Sequence, residues 1–244
     1  MVNKIAVLCL LVLISCDQPK KKKAAENEKV TDGVQKTFRK DGKLLAEVTM
    51  KGGKRNGIAK NYFQNGKVSL EMNYAEGKRE GKSKRFYEDG KLFSETEYKN
   101  DKMTGERRKY RDNGKLMSVA RFENDLPCIG LIEYHLDGTK RTDYPKIIFS
   151  PVNNLSEGIY RLRVSLNNGA KSVKFYRGNL SSSGCFDSRL ADAIRLTGKG
   201  VGEIDYDLMP GQFLMEEVKV VAIYTTAMGN EYYATGIYNL SIRN

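Results

Sequence analysis

A glycine returns every 24 residues through the first half of the chain, at Gly42, Gly66, Gly90, Gly114 and Gly138. Each follows an Asp or Asn: Asp41, Asn65, Asp89, Asn113 and Asp137. The first four precede a lysine (Lys43, Lys67, Lys91, Lys115) and then an aliphatic residue (Leu44, Val68, Leu92, Leu116). An aromatic series (Phe38, Tyr62, Phe86, Tyr110, Tyr134) and a second glycine series (Gly33, Gly57, Gly81, Gly105) keep the same period. A fixed short period without insertions means stacked copies of one supersecondary unit. Asp/Asn-Gly between alternating apolar residues is the strongest local sign of a β-hairpin. Residues 33–144 therefore read as a row of hairpins, four full and one partial. In the fifth, Ile129 replaces the leading glycine and Lys140 the aliphatic, as in a capping unit.

Two turn geometries compete. A two-residue type I′ loop would make Tyr62 face Ser69. A three-residue loop, a type I turn closed by a left-handed glycine, shifts the pairing by one residue. The bulged loop is preferred, because it would gather Tyr62, Val68, Leu70, Met72 and Tyr74 on one face. Lys67, Glu71 and Asn73 would then share the other face with Phe63. A one-residue slip inverts every side chain, so this choice carries consequences for any binding surface.

The segment Gly81-Lys82-Ser83-Lys84-Arg85-Phe86-Tyr87-Glu88-Asp89-Gly90-Lys91-Leu92 resembles the MORN-variant repeat, with its leading glycine, aromatic pair and Asn/Asp-Gly-Lys turn. The resemblance covers residues 33 to about 128. It implies an all-β, extended antiparallel meander of hairpins. Proteins with such repeats are commonly grouped with YwqK-type toxin–antitoxin antitoxins, so an antitoxin-like role is implied as one alternative. The repeat has also been linked to membrane phospholipids and to protein interaction.

Residues 145–244 lack the repeat. Ile147-Ile148-Phe149, Tyr160 to Leu166, Val173 to Tyr176, Phe213 to Thr225 and Tyr232 to Ile242 read as strands; Tyr160 to Leu166 alternates cleanly, Val218 to Tyr224 less strictly. Five to seven strands in this span suggest a β-sandwich-like domain, with an immunoglobulin-like one as a possibility. Ser188 to Leu196 reads as either a short helix or a strand, and residues 178–202 as an irregular loop.

The N-terminus reads as an address. Lys4 precedes an apolar run from Ile5 to Ile14, too short to span a bilayer but suited to a signal peptide. The run ends in Leu13-Ile14-Ser15-Cys16, which resembles the bacterial lipobox. That resemblance implies a signal peptide of residues 1–15, lipidation of Cys16, and a membrane partner through the anchor. Residues 16–32, with Lys20 to Lys23, read as a disordered tether. Export to the cell envelope follows as an expectation, the choice of membrane staying open. Only Cys128 and Cys185 then remain; whether they pair is open at this point.

The charge is +12, and residues 33–144 hold most of it, with 25 Lys and Arg against 17 Asp and Glu. Anionic lipid or polysaccharide are the expected partners of such a surface, together with an unidentified envelope protein; nucleic acid is not expected for an exported chain. At one repeat position stand Lys36, Lys60, Lys84 and Arg108, which stacking would align as a basic row alongside Lys43, Lys67, Lys91 and Lys115. Phe63 and Tyr87 would lie beside them, available to stack on sugar rings or bases. The competing reading is a cross-strand charge network with Glu47, Glu71 and Glu95, which recur in phase. No catalytic constellation is visible, no cofactor is expected, and the chain is read as a non-enzyme. His135 is the sole histidine, Ser181-Ser182-Ser183-Gly184-Cys185 lacks a base, and Glu203, Asp205 and Asp207 suggest at most a weak Ca²⁺ site. The leading functional expectation is a non-catalytic, membrane-anchored repeat scaffold for protein interaction.

Overall fold

A computed structural model describes residues 32–198 and 200–244. The signal segment, Cys16 and the lysine tether lie outside the described residues. The repeats form one antiparallel sheet from β1 (Gly33–Phe38), β2 (Leu44–Lys51), β3 (Lys54–Tyr62), β4 (Val68–Ala75), β5 (Lys78–Phe86), β6 (Leu92–Lys99), β7 (Lys102–Tyr110) and β8 (Leu116–Glu123). The strands lie in chain order, and the short β9 (Leu126–Pro127) and β10 (Ile132–Glu133) both pair with β8.

The two sheet edges use different turns. On one, Phe63 N–H donates to Lys67 O (2.8 Å) and Gly66 N–H to Phe63 O (3.1 Å), with Gly66 at φ 82°. The same bonds recur at Arg39–Lys43, Tyr87–Lys91, Arg111–Lys115 and His135–Thr139. This is the three-residue loop expected from the sequence, and Asn65 has no positive φ, which excludes type I′ there. On the other edge the loops are two-residue: Glu76-Gly77, Asn100-Asp101 and Asn124-Asp125 carry positive φ at both residues, the I′ signature. Successive turns are stitched by backbone bonds such as Gly77 N–H to Arg55 O (2.8 Å).

The predicted composition of the faces is corrected by a second bulge. Tyr62 pairs with Val68 but Asn61 with Leu70, leaving Ser69 as an extra residue. The equivalent shift follows Thr37, Arg85 and Lys109. Tyr62 thus shares its face with Lys60 and Glu71, while Leu70, Met72 and Tyr74 project on the opposite face. The sequence gives no local sign of this bulge, since Ser69 occupies a position held elsewhere by Leu45, Phe93 and Met117.

The second half is an eight-stranded sandwich. One sheet has the order β11 (Ile147–Asn154), β12 (Ile159–Leu166), β16 (Gly202–Asp207), β15 (Arg195–Leu196). The other has β14 (Asp192–Ala193), β13 (Val173–Arg177), β17 (Phe213–Thr225), β18 (Glu231–Arg243). These are the A-B-E-D and C′-C-F-G orders of an immunoglobulin-like fold. The clean alternation of Tyr160 to Leu166 is matched by burial of Leu162 and Val164, and with Phe175, Val218, Val220 and Ala222 these are each at most 1% exposed. They form the one large apolar core of the described residues.

The 178–202 segment is more ordered than expected. Ser188–Leu190 is a 3₁₀ turn, and two short strands follow it. Phe186 packs with Val221 and Tyr233 on the outer face of the second sheet, and Cys185 forms a disulfide with Cys128. Ile129 N–H to Gly184 O and Phe186 N–H to Pro127 O, both 2.9 Å, flank that disulfide.

Candidate functional site

Pleating sorts the charges of the array onto two unlike faces. On the Tyr62 face, Lys36, Glu47, Lys60, Glu71, Lys84, Glu95 and Arg108 are consecutive cross-strand partners from β1 to β7. The expected basic row is therefore a ladder in which each cation is opposed by a carboxylate. Such pairs contribute about 0.2–1 kcal/mol each, and the sign alternation removes the long-range field of a bare lysine row. Tyr62 sits in this ladder and donates its hydroxyl to Glu47 (2.6 Å). Partial burial, with Glu47 and Glu71 alongside, pushes its pKa up to about 12.

The turn lysines are also occupied. Lys43 Nζ donates to Gln64 O (3.2 Å), Lys67 Nζ to Asp89 O (2.7 Å) and Lys115 Nζ to Leu136 O (3.2 Å), each reaching the next hairpin. Lys91 pairs with Asp89 (2.9 Å). Tyr87 donates to Tyr110 O (2.8 Å) and meets Phe93 edge-on, and Phe63 is half-buried. Lys43, Lys67 and Lys115 act as staples between turns, Lys91 closes its own turn, and Tyr87 packs rather than presenting a free ring.

The opposite face carries no carboxylate on β1–β8. Its charged residues are Arg55, Arg79, Arg85, Arg107 and Lys109, by strand register. Arg55, Arg79 and Arg107 lie over the rings of Tyr74, Tyr98 and Phe122 at 5.3, 4.4 and 4.7 Å. Between the rows lie small side chains, Ser83, Ser94 and Thr96, all buried.

The sandwich docks on the far end of this face through a buried polar cluster. Glu133 is 0% exposed. It accepts from Thr226 Oγ1 (2.6 Å), Asn230 Nδ2 (2.7 Å) and Arg141 Nη1 (3.2 Å). Asn230 Oδ1 in turn accepts from Lys109 Nζ (2.8 Å) and Ser118 Oγ (3.5 Å). Burial lowers the Lys109 pKa, partly offset by Glu133. Tyr144 stacks on Tyr232 (4.5 Å) and gives its oxygen to Glu133 N–H (2.7 Å). Burial pushes the Tyr144 hydroxyl up to about 12, so it stays protonated. Beside this junction a cleft of about 700 Å³ is lined by Tyr176, Phe186, Ile223, Tyr233, Lys174 and Arg189.

Sequence reasoning missed Glu133. One signal was present: at its repeat position the earlier units carry Thr37, Asn61, Arg85 and Lys109, so Glu133 is the sole acid of its column. Other sequence candidates are absorbed elsewhere. Glu203 and Asp205 are paired with the guanidinium groups of Arg161, Arg163 and Arg195, which satisfy these carboxylates. Ser183 bonds Glu123, Cys185 is oxidised, and His135 is exposed in the fifth turn. Among the described residues no group of three or more His, Cys, Asp or Glu is placed to hold a metal ion.

Residues 31–51, 55–76, 79–100 and 103–124 each match the family model of the MORN repeat variant. The hairpin array is built from MORN repeat variants. The four MORN units coincide with the strand pairs β1–β2, β3–β4, β5–β6 and β7–β8, so each matched unit is one hairpin with its three-residue turn inside. No curated protein matches the chain.

Proposed function

We propose that the protein is a non-catalytic scaffold of the bacterial cell envelope, anchored by lipid on Cys16, in which the MORN array presents a partner-binding surface. The observation that carries this reading is the junction. Glu133, Asn230 and the Cys128–Cys185 disulfide fasten the last repeats to the sandwich, so the two halves offer their surfaces in a fixed relation. Interaction modules need such pre-organisation because it lowers the entropy cost of binding.

The disulfide also supports export, since structural disulfides persist in oxidising compartments and are rare in the cytosol. It weighs against an antitoxin acting on a cytoplasmic toxin. The lipobox and the lysine tether supply the anchor in this reading, each lysine adding about 1 kcal/mol of attraction to an anionic surface.

The test is fatty-acid labelling of the full chain in bacterial cells, with photo-crosslinking residues at exposed positions of β3 and β5. Label on the wild type and not on Cys16→Ala, with discrete crosslinked species from the envelope fraction, is the expected result. An unlabelled, soluble, cytoplasmic wild-type protein overturns it.

A further inference from the structure

β18 closes one side of the second sheet of the sandwich, and at 13 residues it is the longest edge strand among the described residues. It pairs with β17 residue by residue from Glu231 to Arg243, without a bulge. Thr226 N–H donates to Asn230 O (2.8 Å) at one end, and Asn244 N–H to Gln212 O (2.9 Å) at the other. Even-numbered residues therefore bond to β17. Antiparallel pairing alternates, so the odd-numbered residues from Glu231 to Arg243 turn their N–H and C=O groups away from the sheet. None of those outward groups is hydrogen-bonded among the described residues.

An open edge is a template for a further strand, and proteins blunt such edges with charge, proline, bulges or brevity. The other edges follow that rule. β1 carries Lys36 and runs into Arg39 and Lys40, β11 contains Pro151, and β14 and β15 have two residues each. β18 has neither a charged residue nor a proline from Tyr232 to Ile242. Ile237, at its midpoint, is 59% exposed. The charges stand only at the two ends and are opposite in sign, Glu231 and Arg243. Arg243 is exposed and has no hydrogen bond or ion pair among the described residues. Glu231 is exposed, accepts the Tyr233 hydroxyl on Oε2 (2.9 Å) and has Arg107 nearby, with Oε1 left unbonded.

We propose that this edge pairs with β18 of a second copy of the chain, antiparallel and about a twofold axis at Ile237. A twofold contact is self-complementary, so each residue meets the one equally far beyond the axis. Ile237 faces Ile237 of the second copy, Thr235 faces Asn239, Tyr233 faces Ser241, and Glu231 faces Arg243 at both ends. All these residues carry the outward N–H and C=O groups, so each pair is of the hydrogen-bonded kind. Only this register sets the two end charges against each other, and charge complementarity of that kind selects a partner strand and its alignment. Beside Tyr232–Thr235 the edge borders a cavity of about 300 Å³, walled on its far side by Ile129–Leu131 and Tyr144–Lys146, so it faces open space there rather than packed chain. The pairing joins two four-stranded sheets into one continuous sheet. The inference goes beyond the scaffold reading, since it makes the chain its own partner, and it does not rest on the anchor.

The experiment is oxidative crosslinking with copper phenanthroline of the full-length chain in intact bacterial cells, each variant carrying one added cysteine. Ile237→Cys should give a disulfide-linked species of twice the chain mass, because facing residues of a hydrogen-bonded pair lie about 5.5 Å apart. Glu217→Cys, on the same face but one strand inward, should give none. Thr235→Cys expressed together with Asn239→Cys should crosslink between chains, while neither should crosslink with itself, which reads the register. Sedimentation of the unsubstituted full-length chain in detergent should give the mass of two copies. Ile237→Lys, a guard charge at an exposed position, should weaken that association at least 10-fold with an unchanged circular dichroism melt. Cys16→Ala should leave the Ile237→Cys crosslink in place, so loss of the anchor and loss of the pairing are read separately. A one-copy mass with no crosslink at position 237, equal crosslinking at position 217, self-crosslinking of the 235 or 239 variant, crosslinks to other proteins alone, or a two-copy mass that persists in Ile237→Lys overturns the proposal.

Discussion

At the scale of single residues, Glu133 decides whether the two halves act as one body. Its carboxylate is wholly buried and is satisfied by Thr226, Asn230 and Arg141, with Arg141 itself largely buried. Replacing it leaves two neutral donors and a guanidinium without their acceptor, and Lys109 without its nearby countercharge. Breaking one side of a buried, hydrogen-bonded ion pair costs about 3–5 kcal/mol. Glu133→Ala should therefore lower the urea-derived stability by that amount, and Glu133→Gln, which keeps acceptor oxygen, by clearly less. Equal loss in both variants would mean that the charge contributes nothing. Little of this cluster was legible in the sequence, because its members come from four separate segments: 109–118, 133–144, 226 and 230–232. Long-range polar contacts have no periodicity to betray them. Cys128 and Cys185 illustrate the same limit: two cysteines, 57 positions apart, could be counted but not paired until the backbone brought Pro127–Ile129 against Gly184–Phe186.

At the scale of the hairpin, local chemistry was legible almost completely. Asp/Asn-Gly specifies a left-handed third loop residue, and the structure supplies it at Gly42, Gly66, Gly90, Gly114 and Gly138. The preceding Asp or Asn accepts the backbone N–H two residues on, as Asp89 does from Lys91 (2.9 Å) and Asn65 from Lys67 (3.0 Å). What failed was the face assignment beyond the turn, because the loop residues carry no sign of the extra residue at Ser69, which inverts every side chain after it. The turn carboxylates make the array acid-sensitive. Backbone N–H donors hold Asp41, Asp89 and Asp137 below the ordinary 3.8. A folded-state pKa below the unfolded one contributes stability that is present above pH 3.8 and is lost as pH falls through the folded value. Urea midpoints of the wild type should therefore drop as the pH falls below about 4. The variant Asp41→Asn, Asp89→Asn, Asp137→Asn keeps the acceptor oxygen, as Asn65 and Asn113 already do, and should show a shallower drop. Parallel curves for the two proteins would sink the argument.

Across the whole molecule, stability is graded along the repeat axis. Strands β1 to β4 contain no buried residue, so both faces of the first two MORN units meet solvent. Buried residues begin at Ser83 and accumulate through Ser94, Thr96, Ser118 and Phe122 toward the sandwich, whose core is the apolar anchor of the assembly. A one-dimensional stack in which each unit touches only its neighbours frays from its unanchored end. Native-state hydrogen exchange should accordingly show amide protection rising from β1–β2 to β7–β8, with β17 and β18 the most protected. The disulfide closes a loop across the junction, and a closure of 57 residues corresponds to about 4 kcal/mol in the chain-entropy model. Cys128→Ala with Cys185→Ala should thus lower protection in β7–β10 while leaving β1–β3 as labile as before, because those strands draw nothing from the junction. Uniform protection along the array, or uniform loss on removing the disulfide, would mean that the MORN units fold as one cooperative block, with their stability held in the turn-to-turn bonds rather than in the sandwich.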